Sequence, residues 1–342
     1  MKIAIVNDLM MAVEALRRVV RSHPDYTIAW VAHNGAEAVS KCAAERPDMI
    51  LMDLIMPVMN GAEATRHIMR DSPCPILVVT ATVDGNISLV FEAMGYGALD
   101  AVNTPVLGTD SKLSGAQALL RKIEIIGHLL TRPAPMSPAA AMAFGTPPAS
   151  ASCLPLVILG ASTGGPAALA DILSRLPAVF NAAIVIIQHV DKEFAPDLAL
   201  WLGTHCPLRV KVATPGCRPE IGVVWLAGTN DHMVLTEHGT LEYRAEPAKC
   251  FYRPSADVFF KSAAAHWSPN GVAVLLTGMG RDGGEGLLAL RQCGWRTLAQ
   301  DKATSIVYGM PRAAAELGAA EKILPLNAIA DAIVQVISKN AS

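Results

Sequence analysis

Apolar positions in this chain come in uninterrupted blocks rather than in strict alternation with polar ones. Short runs at Lys2 to Val6, Ile28 to Ala32, Met49 to Met52, Ile76 to Thr80 and Ala98 to Val102 are rich in β-branched and other apolar residues. Between them, in Met11 to Arg21, Gly35 to Glu45, Gly61 to Arg70 and Ile87 to Met94, apolar residues recur every three or four positions. A continuous apolar run is what a strand covered on both faces requires, and the longer period is that of an amphipathic helix. Short connections between such units predict a doubly wound parallel sheet, with a further helix over Lys112 to Leu130. From Pro133 to Pro155 the pattern stops: Pro, Ala, Ser and Gly dominate and no charged residue occurs. Such a stretch buries too little apolar surface to fold alone and reads as a linker. Strand–helix alternation resumes at Leu156, with apolar runs at Leu156 to Leu159, Ala183 to Ile187 and Val272 to Leu276. The middle, Val210 to Tyr243, is more β-rich, with turn signals at Gly228-Thr229-Asn230-Asp231 and His238-Gly239. The division expected is 1–131, a linker over 132–154, and 155–342.

Composition narrows the class. A chain of 342 residues is too long for one ordinary core. No apolar run approaches the ~18 residues of a membrane span, and the N-terminus reaches Asp8 too early for a signal peptide. The formal net charge of -2 gives no electrostatic case for nucleic acid or an anionic membrane. Seven cysteines without a C-x-x-C pair suit reduced thiols in a cytosol. His205, His232 and His266 lack metal-ligand spacing. The expectation is a cytoplasmic protein with no nucleic-acid partner and no membrane insertion.

In the first half, Asp8, Asp53 and Thr80 each stand at or just beyond the end of a strand block, so the fold gathers them at one sheet edge. Two carboxylates there make a hard oxygen site suited to Mg²⁺. The plainer alternative is that Asp8 and Asp53 cap the helices that follow them. Asp53 lies in Leu51-Met52-Asp53-Leu54-Ile55-Met56-Pro57-Val58-Met59-Asn60-Gly61, which resembles the phospho-acceptor segment of response-regulator receiver domains. The resemblance covers roughly residues 1 to 105 and implies a flavodoxin-like sheet of five parallel strands. It further implies that Asp53 takes phosphate from a histidine kinase, with Mg²⁺ on Asp8, Asp53 and the Ile55 carbonyl and with Thr80 sensing the phosphoryl group. Two positions depart from the receiver pattern. Asn7 stands where an acidic pair usually begins, and Thr104, before Pro105, stands where a Lys is usual; a hydroxyl supplies no positive charge at that switch position.

In the second half three segments follow strand blocks: Gly160-Ala161-Ser162-Thr163-Gly164-Gly165, Gln188-His189, and Gly278-Met279-Gly280-Arg281-Asp282-Gly283. The first fits a G-x-S-x-G nucleophile turn, in which glycines permit the sharp bend that lifts the hydroxyl off the sheet. Pro166 suits the first turn of a helix over Ala167 to Leu176, whose N-terminal N–H groups favour a developing oxyanion. His189 is then the candidate general base and Asp282 its orienting carboxylate. The order Ser…His…Asp is not that of ordinary α/β-hydrolases. Singly, each has a plainer reading: Ser162 as a polar turn, His189 as a strand-end histidine bonded to a carbonyl, Asp282 as a cap of the helix that follows. Gly278-x-Gly280-x-x-Gly283 with Asp301 also imitates a dinucleotide fingerprint.

Taken together, Gly160 to Pro166, Gln188-His189, Arg253-Pro254-Ser255-Ala256-Asp257, Leu275 to Gly283, Gln300-Asp301 and Gly309 to Ala314 resemble the catalytic domain of chemotaxis protein-glutamate methylesterases. The resemblance covers nearly all of residues 155 to 340 and implies a mostly parallel, doubly wound α/β domain with a β-rich insertion. It also implies Ser162 as nucleophile, His189 as base and Asp282 as orienting acid, with the Met279 backbone N–H and the Ser162–Thr163 turn serving the oxyanion. The implied substrate is the methyl ester of glutamates on the cytoplasmic helices of methyl-accepting chemoreceptors, with glutamine deamidation in some members and no cofactor for catalysis. The receiver is expected to cover the cleft until Asp53 is phosphorylated. Asn7-Asp8 and Thr104-Pro105 resemble the branch found in Wsp-type surface-sensing systems. A non-catalytic signalling adaptor and a nucleotide-binding protein are the competing readings.

Overall fold

The computed structural model describes residues 1–80, 87–107, 113–131, 154–247, 250 and 252–340. The chain divides into two compact units, Met1–Pro133 and Ala134–Ser342. Nearly all of the expected linker, residues 132–153, lies outside the described residues.

The first unit runs β1 (Lys2–Val6), α1 (Met10–Arg21), β2 (Thr27–Ala32), α2 (Gly35–Ala44), β3 (Met49–Met52), α3 (Gly61–Asp71), β4 (Ile76–Thr80), α4 (Ile87–Gly95) and β5 (Asp100–Asn103). A two-residue antiparallel pair follows, β6 (Val106–Leu107) with β7 (Leu113–Ser114), and then α5 (Ala116–Thr131). The five main strands are all parallel, in the order β2-β1-β3-β4-β5. β3 and β4 are buried along their whole length, as their unbroken apolar runs require. Two helices are started by asparagine caps: Asn34 Oδ1 accepts from Glu37 N at 2.9 Å and Asn60 Oδ1 from Glu63 N at 2.8 Å. Two boundaries differ from the sequence expectation. β5 begins at Asp100 rather than Ala98, because Gly97, at φ 110°, and the Ala98 N–H bonded to Ala93 O still belong to the C-terminal turn of α4. α5 begins at Ala116 rather than Lys112, because Gly115, at φ 83°, and the small β6–β7 pair precede it.

The second unit runs β8 (Leu156–Ala161), α6 (Gly165–Ser174), β9 (Ala183–Gln188), α7 (Ala195–His205), β10 (Arg209–Val212), β11 (Val223–Leu226), β12 (His232–Leu235), β13 (Leu241–Arg244), α8 (Ala256–His266), β14 (Gly271–Leu275), α9 (Gly284–Gln292), β15 (Arg296–Gln300), α10 (Met310–Glu316), β16 (Lys322–Leu324) and α11 (Leu326–Asn340). Seven strands form one parallel sheet in the order β10-β11-β9-β8-β14-β15-β16. Of the β-rich middle segment, β10 and β11 extend this sheet, and only β12 and β13 pair off as an antiparallel hairpin. α6 opens at Gly165, two residues before the expected start, because Gly164 takes φ 75° and Pro166 fits the first turn. The chain leaves central β8 toward β9 on one side, and the later strands build outward from β14 on the other. In a doubly wound sheet that change of direction is where a crevice opens beyond the carboxyl ends of the strands. No helix among the described residues is long and apolar enough to cross a membrane.

Candidate functional site

The register of the second sheet decides which side chains share its rim. β8 pairs with β9 so that Ala161 faces Gln188, and His189 N donates to Ala161 O at 3.1 Å. Ser162 and His189 therefore end neighbouring strands, a strand spacing of about 4.8 Å apart. On the other flank, β14 pairs with β8, and Ser162 N donates to Thr277 O at 3.1 Å. The turn after β14 then carries Asp282 back over the rim, where its Oδ2 meets His189 Nε2 at 2.7 Å.

Asp282 is enclosed, with 3 % of its side chain exposed, against 11 % for His189. Its Oδ1 accepts from Ser255 Oγ at 2.6 Å and Asp257 N at 3.2 Å, and its Oδ2 also accepts from Ala256 N at 2.6 Å. Those donors form the N-terminus of α8, whose dipole favours an anion. Burial by itself would push this carboxyl up. The hydrogen bond and charge of His189, with the Ser255 and Ala256 donors, override burial and hold it below the usual carboxylate range. Asp282 does not cap its own following helix: α9 starts behind Gly283, at φ 85°, with no side-chain cap. The ring of Tyr252 stacks on His189, with centroids 4.6 Å apart and planes 8° from parallel.

Ser162 is buried, and its carbonyl is held by Gln188 Nε2 at 2.9 Å and Gly165 N at 2.8 Å. Among the described residues its hydroxyl makes no hydrogen bond, and His189 Nδ1, also buried, has no partner. The structure thus joins His189 to Asp282 and sets Ser162 beside them, without the serine–imidazole bond. The expected oxyanion donors, Thr163 and Met279, sit on the turns after β8 and β14, and the Thr163 carbonyl accepts from Thr277 Oγ1 at 2.9 Å. Gly278 has to be glycine: a Cβ there would lie 2.3 Å from Met310 Sδ and 2.8 Å from Ser162 Cβ. Gly280, at φ 83°, is likewise closed off by the Tyr252 hydroxyl, 2.2 Å from where its Cβ would be. These glycines pack against protein and offer no cradle for a pyrophosphate, while Asp301 Oδ1 is taken by Thr304 N at 2.9 Å and Thr304 Oγ1 at 2.7 Å.

In the first unit the carboxyl edge collects Asn7, Asp8, Asp53 and Thr80. Asp53 is 7 % exposed; its Oδ1 accepts from Leu54 N at 2.7 Å and its Oδ2 from Asn7 Nδ2 at 2.9 Å. Burial pushes its carboxyl up to about 6, the Leu54 and Ile55 N–H groups oppose this, and the nearby charge of Asp8 adds to it. Neither aspartate caps a helix: α1 follows Leu9 without a side-chain cap, and Asn60 caps α3. The carboxylates of Asp53 and Asp8 form a hard-oxygen donor set that suits a small divalent cation. A Cβ on Gly61 would stand 1.9 Å from the Asp53 carbonyl, so this glycine permits the loop to close over the strand end. Among the described residues Thr80 Oγ1 and Thr104 Oγ1, both buried, have no hydrogen-bond partner, while Thr104 N donates to Thr80 O at 3.0 Å.

Ser255, Tyr252, Gln188 and Thr277 were not among the sequence candidates for the site. Ser255 lies inside the Arg253–Asp257 segment noted above, but nothing in its spacing announces a partner 27 residues away.

Two parallel α/β units, one with a buried aspartate and a second, half-buried one at its rim and one with a histidine–aspartate pair beside a serine turn, define a phospho-receiver joined to a serine hydrolase. The family comparisons agree. Residues 3–112 match the response regulator receiver domain and residues 157–333 match the CheB methylesterase domain. Among similar proteins, protein-glutamate methylesterase/protein-glutamine glutaminase 4 of Burkholderia thailandensis is 53% identical over 340 residues, covering 99% of this chain and 98% of that protein. The protein of the same name numbered 3 from Pseudomonas aeruginosa is 52% identical over 336 residues, covering 98% of this chain and 99% of that protein. The crystal structure of the Thermotoga maritima CheB methylesterase catalytic domain superposes with TM-score 0.50 at 34% identity, over 53% of this chain and 98% of that one. The chain belongs to the protein-glutamate methylesterase/protein-glutamine glutaminase family.

Proposed function

We propose that the chain is a phosphorylation-regulated, cytoplasmic protein-glutamate methylesterase, with residues 155–342 as catalytic domain, 1–131 as receiver and 132–154 joining them. The observation that carries this is the His189–Asp282 bond of 2.7 Å at the strand end beside Ser162. Ser162 Oγ attacks the ester carbonyl while His189 accepts its proton; rotation of the Ser162 side chain toward the open Nδ1 makes that transfer possible. The imidazolium is stabilised by Asp282, which stays ionised. Collapse of the tetrahedral intermediate expels methoxide, which takes the proton from His189 and leaves as methanol. Water then attacks the acyl-serine with His189 again as base, freeing the glutamate carboxylate and restoring Ser162. N–H groups of Met279 and Thr163 are the assigned oxyanion donors. A primary amide enters the same path with ammonia leaving, which supports glutamine deamidation as a second activity.

In the receiver, Asp53 is the phosphate acceptor, and Asp8, Asp53 and the Ile55 carbonyl would hold Mg²⁺, which neutralises the charge that gathers as phosphate approaches. The donor is a histidine kinase and the substrate a methyl-accepting chemoreceptor cytoplasmic domain. Asn7 and Thr104 support placement in the Wsp-type branch, which a rise in cyclic di-GMP on deleting the gene would test. Methanol release from methylated receptor fragments, with and without phosphodonor, tests the main reading. A Ser162→Ala protein that still releases methanol refutes it, and an adaptor would release none in either form.

A further inference from the structure

We propose that Ser255 is a positioning residue of the hydrolytic site, fixing the carboxylate of Asp282 so that its other oxygen can hold His189. The inference rests on the triad reading given above and extends it by one residue. Ser255 is fully buried, and its hydroxyl does two things at once. As N-cap of α8 it accepts from Val258 N at 3.3 Å, and it donates to Asp282 Oδ1 at 2.6 Å. A cap needs only the oxygen's lone pairs, and a serine hydroxyl has a single proton. That proton goes to Asp282. Helix start and triad orientation are thereby tied to one atom.

The geometry assigns a separate task to each carboxylate oxygen. Oδ2 serves His189 Nε2 and Ala256 N, while among the described residues Oδ1 has only Ser255 Oγ and the longer contact from Asp257 N at 3.2 Å. Removing the hydroxyl leaves Oδ1 with that longer contact alone, so the carboxylate plane is free to turn and carry the imidazole with it. The Asp257 side chain is engaged elsewhere, its Oδ1 accepting from Gly286 N at 2.6 Å. The imidazole would then dwell away from Ser162, and turnover would fall through kcat rather than through substrate binding.

The test compares the full-length Ser255→Ala and Ser255→Thr proteins with wild type in two assays: methanol release from methylated receptor fragments, and the rate at which a fluorophosphonate labels Ser162. Ser255→Ala is expected to lower kcat and the labelling rate together, by about 10- to 100-fold, the range for one lost hydrogen bond to a charged group. KM should stay within about twofold. Ser255→Thr, which keeps both the proton and the cap, should recover most of the loss. Ile333→Val, in the buried face of α11, serves as a control that lowers stability without touching the site. If Ser255→Ala labels at the wild-type rate and loses only thermal stability as the control does, Ser255 is a helix cap and the proposal is wrong. If wild type labels but releases no methanol, the substrate reading falls while the positioning result still stands on labelling. If wild type does not label, the triad falls and this inference with it.

Discussion

His189 turns its Nε2 to Asp282 Oδ2, 2.7 Å away, and keeps its Nδ1 buried and, among the described residues, unpartnered. The carboxylate accepts the Nε2 proton, so Nδ1 carries the lone pair available to a base. Replacing Asp282 with Asn reverses this, because an amide N–H in place of Oδ2 favours the tautomer with hydrogen on Nδ1. Asp282→Asn should reduce kcat for methanol release by on the order of 10³-fold or more with little change in KM. Nitrogen-15 NMR of His189 should show the proton moving from Nε2 to Nδ1. A variant with near-wild-type turnover would show that Asp282 does not set the ring.

Asp53 gives the receiver a pH dependence opposite in sign to that of an ion-paired carboxylate. Its folded-state pKa, about 6, lies above the reference of 3.8, so the folded state binds more protons between those values. Stability present at low pH is therefore lost as pH rises through about 6. The upper bound is about 3 kcal/mol for a shift of this size. Calorimetry of the full chain in metal-free buffer should show the receiver transition weakening from pH 4 to 7. Asp53→Asn should flatten that trend and be the more stable protein at pH 7.5, and Mg²⁺ should restore stability to wild type alone. An Asp53→Asn profile that parallels wild type would assign the pH dependence to another group.

Strand blocks and strand-end chemistry were legible in the residues because both are local. β3 and β4 are buried on both faces and read as unbroken apolar runs, and Ser162, His189 and Asp53 sit directly after such runs. Asp282 reads from its motif as the orienting carboxylate, but its contact with His189 depends on register, since the pairing of β14 with β8 brings the turn back over His189. Ser255 was invisible as a partner because its contact crosses between helix starts, and a serine before a helix already has a sufficient local reason to be there. The β10 and β11 strands read as part of an insertion because their burial depends on which sheet they join, and a sequence window does not contain that.

Two glycines of the catalytic unit should respond oppositely to alanine. At Gly278 the new methyl would sit 2.8 Å from Ser162 Cβ and 2.3 Å from Met310 Sδ, so the nucleophile turn must move. Misplacement of this kind costs about 100-fold in rate. At Gly203, exposed in α7, a Cβ meets nothing within 4 Å, and alanine should add about 0.5–1 kcal/mol of stability with turnover unchanged. Thermal melts and methanol release on the two variants check both. Equal activity in Gly278→Ala would mean that the turn tolerates a shift that the geometry forbids.

Thr80 presents a hydroxyl to the receiver rim with no partner among the described residues, although only 1 % of the residue is exposed. A buried, unpaired hydroxyl is a standing cost, and valine of nearly the same shape removes it. Thr80→Val should raise the stability of the receiver transition by about 1 kcal/mol. If the hydroxyl is kept for a phosphoryl oxygen, the same change should remove most of the rise in methanol release caused by a small-molecule phosphodonor while leaving the unstimulated rate alone. Stability and switching would then move in opposite directions, which a residue kept only for packing does not do. Stability that falls in Thr80→Val would mean that the hydroxyl already has a partner, such as bound water, in the resting protein, and that its role has to be sought there.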